Sequence, residues 1–415
     1  MPKEKFYELI ARELKRTDDS KTSKRWEKVI EGFTKDKKAI IGGKKYLVFN
    51  SNDYLGLRFN PRVNKAEEEA AKKYGSGPGA VRFIAGTLKV HVELEEKVAE
   101  FHKREAGMVF SSAFAANMAV LHCIIKGQSS ASLVGGETLV VSDELNHRSI
   151  IDGIRVAGLP KENRAIFKHM DYEELDKVLS ENAGKFKRAI VVSDGIFSML
   201  GECPDLRKMV EVCNKHDGDY EEGVISVVDD SHGVACFGET GRGCEEKAGA
   251  KCDLLVGTFG KGFGSDGGYV VGDKIIVDYL RESAATYIYS NPVSPGTAAA
   301  ALEALNVVDS PEGKGLIRKL NENIRYFKEK AKNAGLKFSA ESEHPIQPVL
   351  IGDAAKAKEL TDALFENGIL VTNISFPVVP KGKDEIRVQL SAAHSKADID
   401  EFIGKISSCA KELGI

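Results

Sequence analysis

Helical and strand periods alternate along most of this 415-residue chain. Phe6, Leu9, Ile10 and Leu14 recur at helical spacing and predict a helix over 1–20. Residues 39–49, AIIGGKKYLVF, predict a hairpin or two short strands around Gly42–Gly43, and Asn50–Leu57 then breaks the pattern. From about 65 to 300, helical stretches alternate with short apolar runs, of which Ala189–Ser193, Val224–Val228 and Leu254–Gly257 matter most. Each is rich in Val, Ile and Leu without clean period-2 alternation, as strands buried on both faces should be. Helical patterns at 172–181 and 205–216 precede two of them, which is the β-α-β-α signature of a mostly parallel sheet covered by helices. After Pro295 the pattern changes. Two helices fill 297–336, followed by strands at 346–351, 369–374 and 384–391 and helices at 354–366 and 397–413. The expected organisation is α/β: an N-terminal helix with short strands (1–55), a large domain (56–295) and a smaller C-terminal α+β domain (296–415).

Hydrophobic residues make up 42% and charged residues 29% of the chain, ordinary values for a globular protein with a substantial core. The formal net charge of −3 argues against nucleic acid or an anionic membrane as partner. Seven cysteines without a C-x-x-C pair suit reduced thiols. The charged amphipathic N-terminus lacks the apolar stretch of a signal peptide, and no run approaches the ~18 apolar residues of a membrane span. A cytoplasmic location is expected.

Ligands of open α/β sheets bind beyond the carboxyl ends of the strands. The three runs end in Ser193-Asp194-Gly195-Ile196-Phe197-Ser198, Asp229-Asp230-Ser231-His232-Gly233 and Thr258-Phe259-Gly260-Lys261-Gly262, so hydroxyls, carboxylates, an imidazole and an amine should converge on one edge. Lys261 lies in GTFGKGFGSDGG, where glycines remove bulk around the amine. An enclosed, neutral lysine amine can attack an aldehyde to give a Schiff base. A P-loop is excluded, because Leu255 stands at its first glycine position and Gly262 follows the lysine. The G-x-G-x-x-G at Gly262, Gly264 and Gly267 leads into an apparent strand, Tyr269–Gly272, rather than the helix of a dinucleotide fingerprint.

One β-α-β step before Lys261, Asp229 could sit beside a pyridine nitrogen, keep it protonated and make the ring an electron sink. His232 could donate to that ring's phenolic oxygen. The same D-D-S-H run could hold a metal, but no further His or Cys ligands cluster nearby and no metal is expected. His147, after Asn146 in SDELNHRSI, could stack on an aromatic cofactor or act as acid or base. The helical pattern opening at Ser112–Asn117, after Met108–Phe110, offers backbone N–H groups to an anion, with Thr258 as a second candidate donor.

These residues match an ordered set of motifs. From Asn52-Asp53-Tyr54-Leu55-Gly56-Leu57 through Gly86-Thr87, SDELNH, DGIFSM, DDSHG, GETGRG and GTFGK to IYSN, the whole chain resembles the α-oxoamine synthases. These are fold-type I pyridoxal 5'-phosphate enzymes that condense an amino acid with an acyl-CoA thioester. Within that family VRFIAGT (81–87), SDELNHRSIIDGIR (142–155) and PVVPKGKDEIRVQLSAAH (377–394) are most similar to the glycine C-acetyltransferases, also called 2-amino-3-ketobutyrate coenzyme A ligases. That resemblance implies glycine and acetyl-CoA as substrates, in threonine breakdown. A longer acyl-CoA, as in 8-amino-7-oxononanoate or 3-ketosphinganine synthesis, is the alternative, with a lyase such as a threonine aldolase behind it.

The resemblance also implies roles. Lys261 would hold the cofactor as an imine and move the substrate proton. Asp229 would pair with the pyridine nitrogen, His232 with the ring oxygen, and His147 would stack on the ring. Ser198 and Thr258 would contact the cofactor and Ala113–Phe114 its phosphate. Ser290 and Asn291 would reach that phosphate from a second subunit, implying a homodimer. Arg387 would hold the substrate carboxylate, which a guanidinium grips in two parallel bonds, and Asn52 would lie close to the substrate. There are departures from the family: Ala113 replaces a common glycine or cysteine, the loop after Lys261 is shorter by one residue, and 128–137 and 218–223 look inserted.

Overall fold

The computed structural model describes residues 2–20, 23–129, 131–376, 378–380 and 382–415. Ser130 of the inserted segment, and Pro377 and Lys381 of the 377–394 motif, lie outside the described residues. The three apolar runs become adjacent parallel strands, Arg188–Asp194, Val224–Asp229 and Leu254–Thr258. They form the middle of a seven-stranded sheet. Its order is Ala106–Phe110, Gly268–Gly272, Leu254–Thr258, Val224–Asp229, Arg188–Asp194, Thr138–Asp143, Arg164–Phe167. Only Gly268–Gly272 runs antiparallel to its neighbours. The missing alternation has a direct cause: Val191 and Val228 pack into one apolar cluster while Ile190, Val192 and Val227 pack into the cluster on the opposite face.

Helix starts follow capping chemistry. Asp171, Asp205 and Ser294 each accept a backbone N–H of the first turn, at the starts of Tyr172–Glu181, Leu206–His216 and Pro295–Val308. Pro295 and Pro311 open the two helices expected in 297–336.

The smaller sheet joins Ile346–Leu350, Glu385–Gln389 and Thr372–Ile374, all antiparallel. The single strand expected at 369–374 does not form. The run 369–374 is two strands: Ile369–Leu370 pairs in parallel with Lys44–Val48 of the N-terminal hairpin, and Thr372–Ile374 pairs with Glu385–Gln389. The chain changes hydrogen-bonding partner at Val371, and the segment Ile-Leu-Val-Thr-Asn-Ile does not itself specify which strand each half pairs with. The pairing ties the two ends of the chain together, which sets Asn52 beside the C-terminal sheet. Helix Pro2–Asp19 forms as expected but buries none of its residues. Among the described residues, no helix is long and apolar enough to cross a membrane.

Two local features hold the sheet's carboxyl edge. His169 lies 3.1 Å from both Asp143 Oδ1 and Glu202 Oε2, bracing the end of strand Thr138–Asp143 against the loop after Ser198. Burial opposes its charge, but the two carboxylates outweigh it and raise its pKa to about 9. At Gly268, an added Cβ would lie 2.1 Å from the Ala113 nitrogen, so only glycine lets this strand pass under the start of helix Ala113–Lys126.

Two outcomes follow. A folded-state pKa above the unfolded value stabilises fully below pH ~6.5, and that contribution is lost as pH rises through about 9. Urea unfolding of wild type against His169→Gln should show a gap on the order of 2–3 kcal/mol at pH 6 that narrows by pH 10. A gap unchanged with pH would refute the ion-pair account. Gly268→Ala should cost about 1–3 kcal/mol in the same assay, through displacement of the helix start.

Candidate active site

The carboxyl ends of the central strands surround a cavity of about 250 Å³. Its lining includes eight residues singled out from sequence: Ala113, Phe114, His147, Ser198, Asp229, His232, Thr258 and Lys261. The fold thus brings together residues spread over almost 150 positions of chain, because parallel strands deliver their successors to the same edge.

Lys261 lines the cavity, half-buried. Burial pushes its amine below the ordinary lysine value, opposed by the negative charges of Asp229 and Asp194. The loop that carries it closes tightly. Thr258 Oγ1 donates to the Gly267 carbonyl at 2.9 Å and accepts from the Gly260 N–H at 3.1 Å. Gly264, at φ +68°, brings the loop so near Leu57–Arg58 that a Cβ would lie 2.3 Å from the Arg58 nitrogen. The supposed dinucleotide glycines therefore serve backbone packing. The strand expected at Tyr269–Gly272 forms as Gly268–Gly272.

Asp229 is buried at the end of its strand, and each of its oxygens accepts a hydrogen bond. Oδ1 takes the Ser231 backbone N–H at 3.0 Å and Oδ2 the Asn117 side-chain amide at 2.5 Å. Asp194, one strand over, is fully buried. Burial and the neighbouring Asp229 raise its pKa well above the usual carboxylate range. Its Oδ2 accepts the His147 backbone N–H at 3.1 Å. Asn146 completes the join, donating to the Ser142 hydroxyl and the Val192 carbonyl and accepting from the Asp194 N–H. His147 is thereby placed over the cavity as the N-cap of helix Arg148–Val156. Burial lowers its pKa, with Asp229 opposing. Helix Ala113–Lys126 begins at the cavity with Ser112 as its cap, as the sequence implied for an anion site.

His232 is fully buried, and burial with the nearby Lys261 charge holds its imidazole neutral, far below its usual pKa. Its Nδ1 lies 2.8 Å from the Tyr54 hydroxyl. From Tyr54 a polar network runs to the C-terminal sheet. Gln389 Nε2 donates to Asn52 Oδ1 at 2.6 Å, and Gln389 Oε1 accepts from Arg387 at 2.9 Å. Arg387 and Asn52 are thus held beside His232 by chain segments more than 330 residues apart, although neither lines the central cavity. Arg387 Nε is buried with no hydrogen-bond partner among the described residues. Ser290 and Asn291 lie outside the cavity of their own chain, and Asn291 is exposed.

Sequence reasoning passed over Asn117, Ser149, Asp194, Ser231 and Gln389. All five stood in segments already quoted, Asp194 and Ser231 at the ends of the strand runs. Nothing local marked Asn117, Ser149 or Gln389, whose partners are set by tertiary packing alone.

Comparison with known proteins agrees with this geometry. The profile described as Aminotransferase class I and II matches residues 44–406. An 8-amino-7-oxononanoate synthase of Petrotoga mobilis is 40% identical over 99% of both chains. The 8-amino-7-oxononanoate synthase 1 of Bacillus subtilis is 39% identical over 90% of each. Among solved structures, Sphingomonas wittichii serine palmitoyltransferase superposes with TM-score 0.88 at 28% identity, over 99% of this chain and 98% of its own. A serine palmitoyltransferase of S. paucimobilis with bound PLP gives 0.87 at 29%, over 99% and 98%. These names correspond to the longer-acyl alternative and do not support the expected glycine C-acetyltransferase. With a cavity edged by an amine and a buried carboxylate, and with these relatives, the chain belongs to the class I and II aminotransferase family, as a fold-type I pyridoxal-phosphate enzyme of the α-oxoamine synthase group.

Proposed function

We propose that this protein joins an amino acid to an acyl-CoA thioester with release of CoA, and that its product is 8-amino-7-oxononanoate. The observation that carries the condensing chemistry is the shared cavity of Lys261 and Asp229. The product is inferred from relatives 39–40% identical to this chain. Its carbon skeleton divides at the bond between C7 and C8 into alanine, less its carboxylate, and a seven-carbon dicarboxylic acyl group.

The residues fit pyridoxal phosphate. Ser231 Oγ, on the cavity wall, and the nearby Arg387 Nε are buried polar atoms with no partner among the described residues. The start of helix Ala113–Lys126 faces the cavity as a phosphate cradle requires. When bound, the cofactor supplies an aldehyde for amines and a ring that takes up an electron pair from the substrate's Cα. Lys261 supplies the amine that holds it, and once released moves the proton at the substrate Cα. Asp229 accepts the ring N–H, His232 bonds the ring oxygen, and His147 covers the ring face. Ser198 and Thr258 contact the cofactor, and the backbone of Ala113–Phe114 receives its phosphate. Ser290 and Asn291 reach that phosphate from a second copy of the chain, so the working enzyme is a homodimer. Arg387 holds the amino-acid carboxylate, with Asn52 beside it. Fixing both reactants removes much of the entropy cost of their meeting, up to ~7–11 kcal/mol in favourable systems.

The second reading is glycine with acetyl-CoA, favoured by the segments 81–87, 142–155 and 377–394. Both readings use the same residues and differ in the amino acid taken and in the room given to the acyl chain. Purified enzyme assayed for CoA release with alanine plus pimeloyl-CoA, and with glycine plus acetyl-CoA, separates them. The first pair should give the higher kcat/KM, and a higher value for the second would transfer the assignment. CoA release from neither pair would overturn both substrate readings, and release without an amino acid would overturn the condensing reaction. Lys261→Ala should abolish turnover. Arg387→Lys should raise KM for the amino acid by on the order of 10-fold or more, because an ammonium cannot form the paired bonds of the guanidinium. An unchanged KM would remove Arg387 from the carboxylate site.

A further inference from the structure

Behind the cavity, a continuous chain of hydrogen bonds connects Asp229 to His147. Asn117 Nδ2 lies 2.5 Å from Asp229 Oδ2 and 2.9 Å from Ser149 Oγ. Ser149 Oγ in turn lies 2.8 Å from His147 Nδ1. Asn117 and Ser149 are both buried. The polarity of the chain follows from donor and acceptor chemistry. A carboxylate only accepts, so Asn117 must turn its amide nitrogen to Asp229. Its second N–H then goes to the serine oxygen, and the one hydroxyl hydrogen of Ser149 is left for the imidazole. The Ser149 backbone N–H, 3.3 Å away, also donates to the same Nδ1 as the helix cap. Two donors converge on that nitrogen, which must offer a lone pair. The imidazole proton therefore lies on Nε2, which makes no hydrogen bond among the described residues.

We propose that Asn117 and Ser149 are positioning residues that lock His147 in the Nε2–H tautomer and hold the Asp229 carboxylate in place, so that the group over the cofactor ring and the group at its edge are set by one relay. A neutral imidazole with its donor on the cavity side can cover a ring and donate to a ligand oxygen. The other tautomer would turn a lone pair to the ligand. Burial, which disfavours a charged imidazole here, acts in the same direction. The proposal rests on the cofactor reading only for what His147 faces; the tautomer itself belongs to the protein.

The test is long-range 1H–15N NMR of histidine-labelled enzyme, with and without bound pyridoxal phosphate. His147 is assigned among the nine histidines by comparison with His147→Gln. Wild type near pH 7.5 should show His147 Nδ1 unprotonated and Nε2 protonated in both forms. A proton on Nδ1, or a charged ring, would overturn the proposal whatever the enzyme's substrates are. Ser149→Ala should admit a fraction of the Nδ1–H tautomer and Ser149→Thr should restore the wild-type pattern. Identical spectra for wild type and Ser149→Ala would remove the relay. Asn117→Leu gives a second readout if the serine variant does not fold: its dissociation constant for pyridoxal phosphate should rise on the order of 10-fold, the effect of one hydrogen bond to a charged group. An unchanged constant would show that Asn117 does not position Asp229. Failure to bind pyridoxal phosphate in wild type would instead sink the cofactor reading, with the tautomer still measured on the protein alone.

Discussion

An amine and a carboxylate share one small cavity at the ends of adjacent buried strands, and the rest of the architecture serves that placement. Neither Lys261 nor Asp229 would be stable there in isolation, because removing a charge from water is costly unless a partner compensates. Each partly compensates the other, and Asp229 also accepts from the Ser231 backbone and from Asn117. An amine held below its ordinary pKa is the nucleophile that an aldehyde cofactor needs. The same burial that is unfavourable for stability thus prepares the reactive group.

The proposed substrate side is built differently. Arg387, Gln389 and Asn52 come from opposite ends of the chain, joined by the parallel pairing of Lys44–Val48 with Ile369–Leu370. Gln389 reads both neighbours at once, accepting from the guanidinium and donating to the asparagine. The proposed cofactor site is thus formed by one sheet edge, whereas the proposed amino-acid site depends on how the terminal segments dock. This division suits a scaffold that keeps one chemistry and varies its acyl and amino-acid partners.

The cofactor side was legible in the sequence because its signals are local. Val191, Val228 and their neighbours mark strands buried on both faces, and whatever follows such strands must meet at one edge. Lys261, Asp229 and His232 could be picked out on that ground, whereas His147 rested on its motif, and the glycines around Lys261 fixed which of several motifs they form. What escaped had no local signature. Asn117 reads as one more polar residue on an apolar helix, and only the fold sets its amide against Asp229. The break at Val371 was hidden because the partner of each half of a strand is set by tertiary packing, not by the segment itself. Acyl-chain choice escaped for an energetic reason: one methylene in an apolar pocket changes binding by only ~1–3 kcal/mol, too little to impose a readable motif.

The most direct measurement is chemical. Enzyme loaded with pyridoxal phosphate, reduced with borohydride and digested, should yield one peptide carrying the phosphopyridoxyl mass, with the modification on Lys261. Labelling of a different lysine, or of none, would contradict the account.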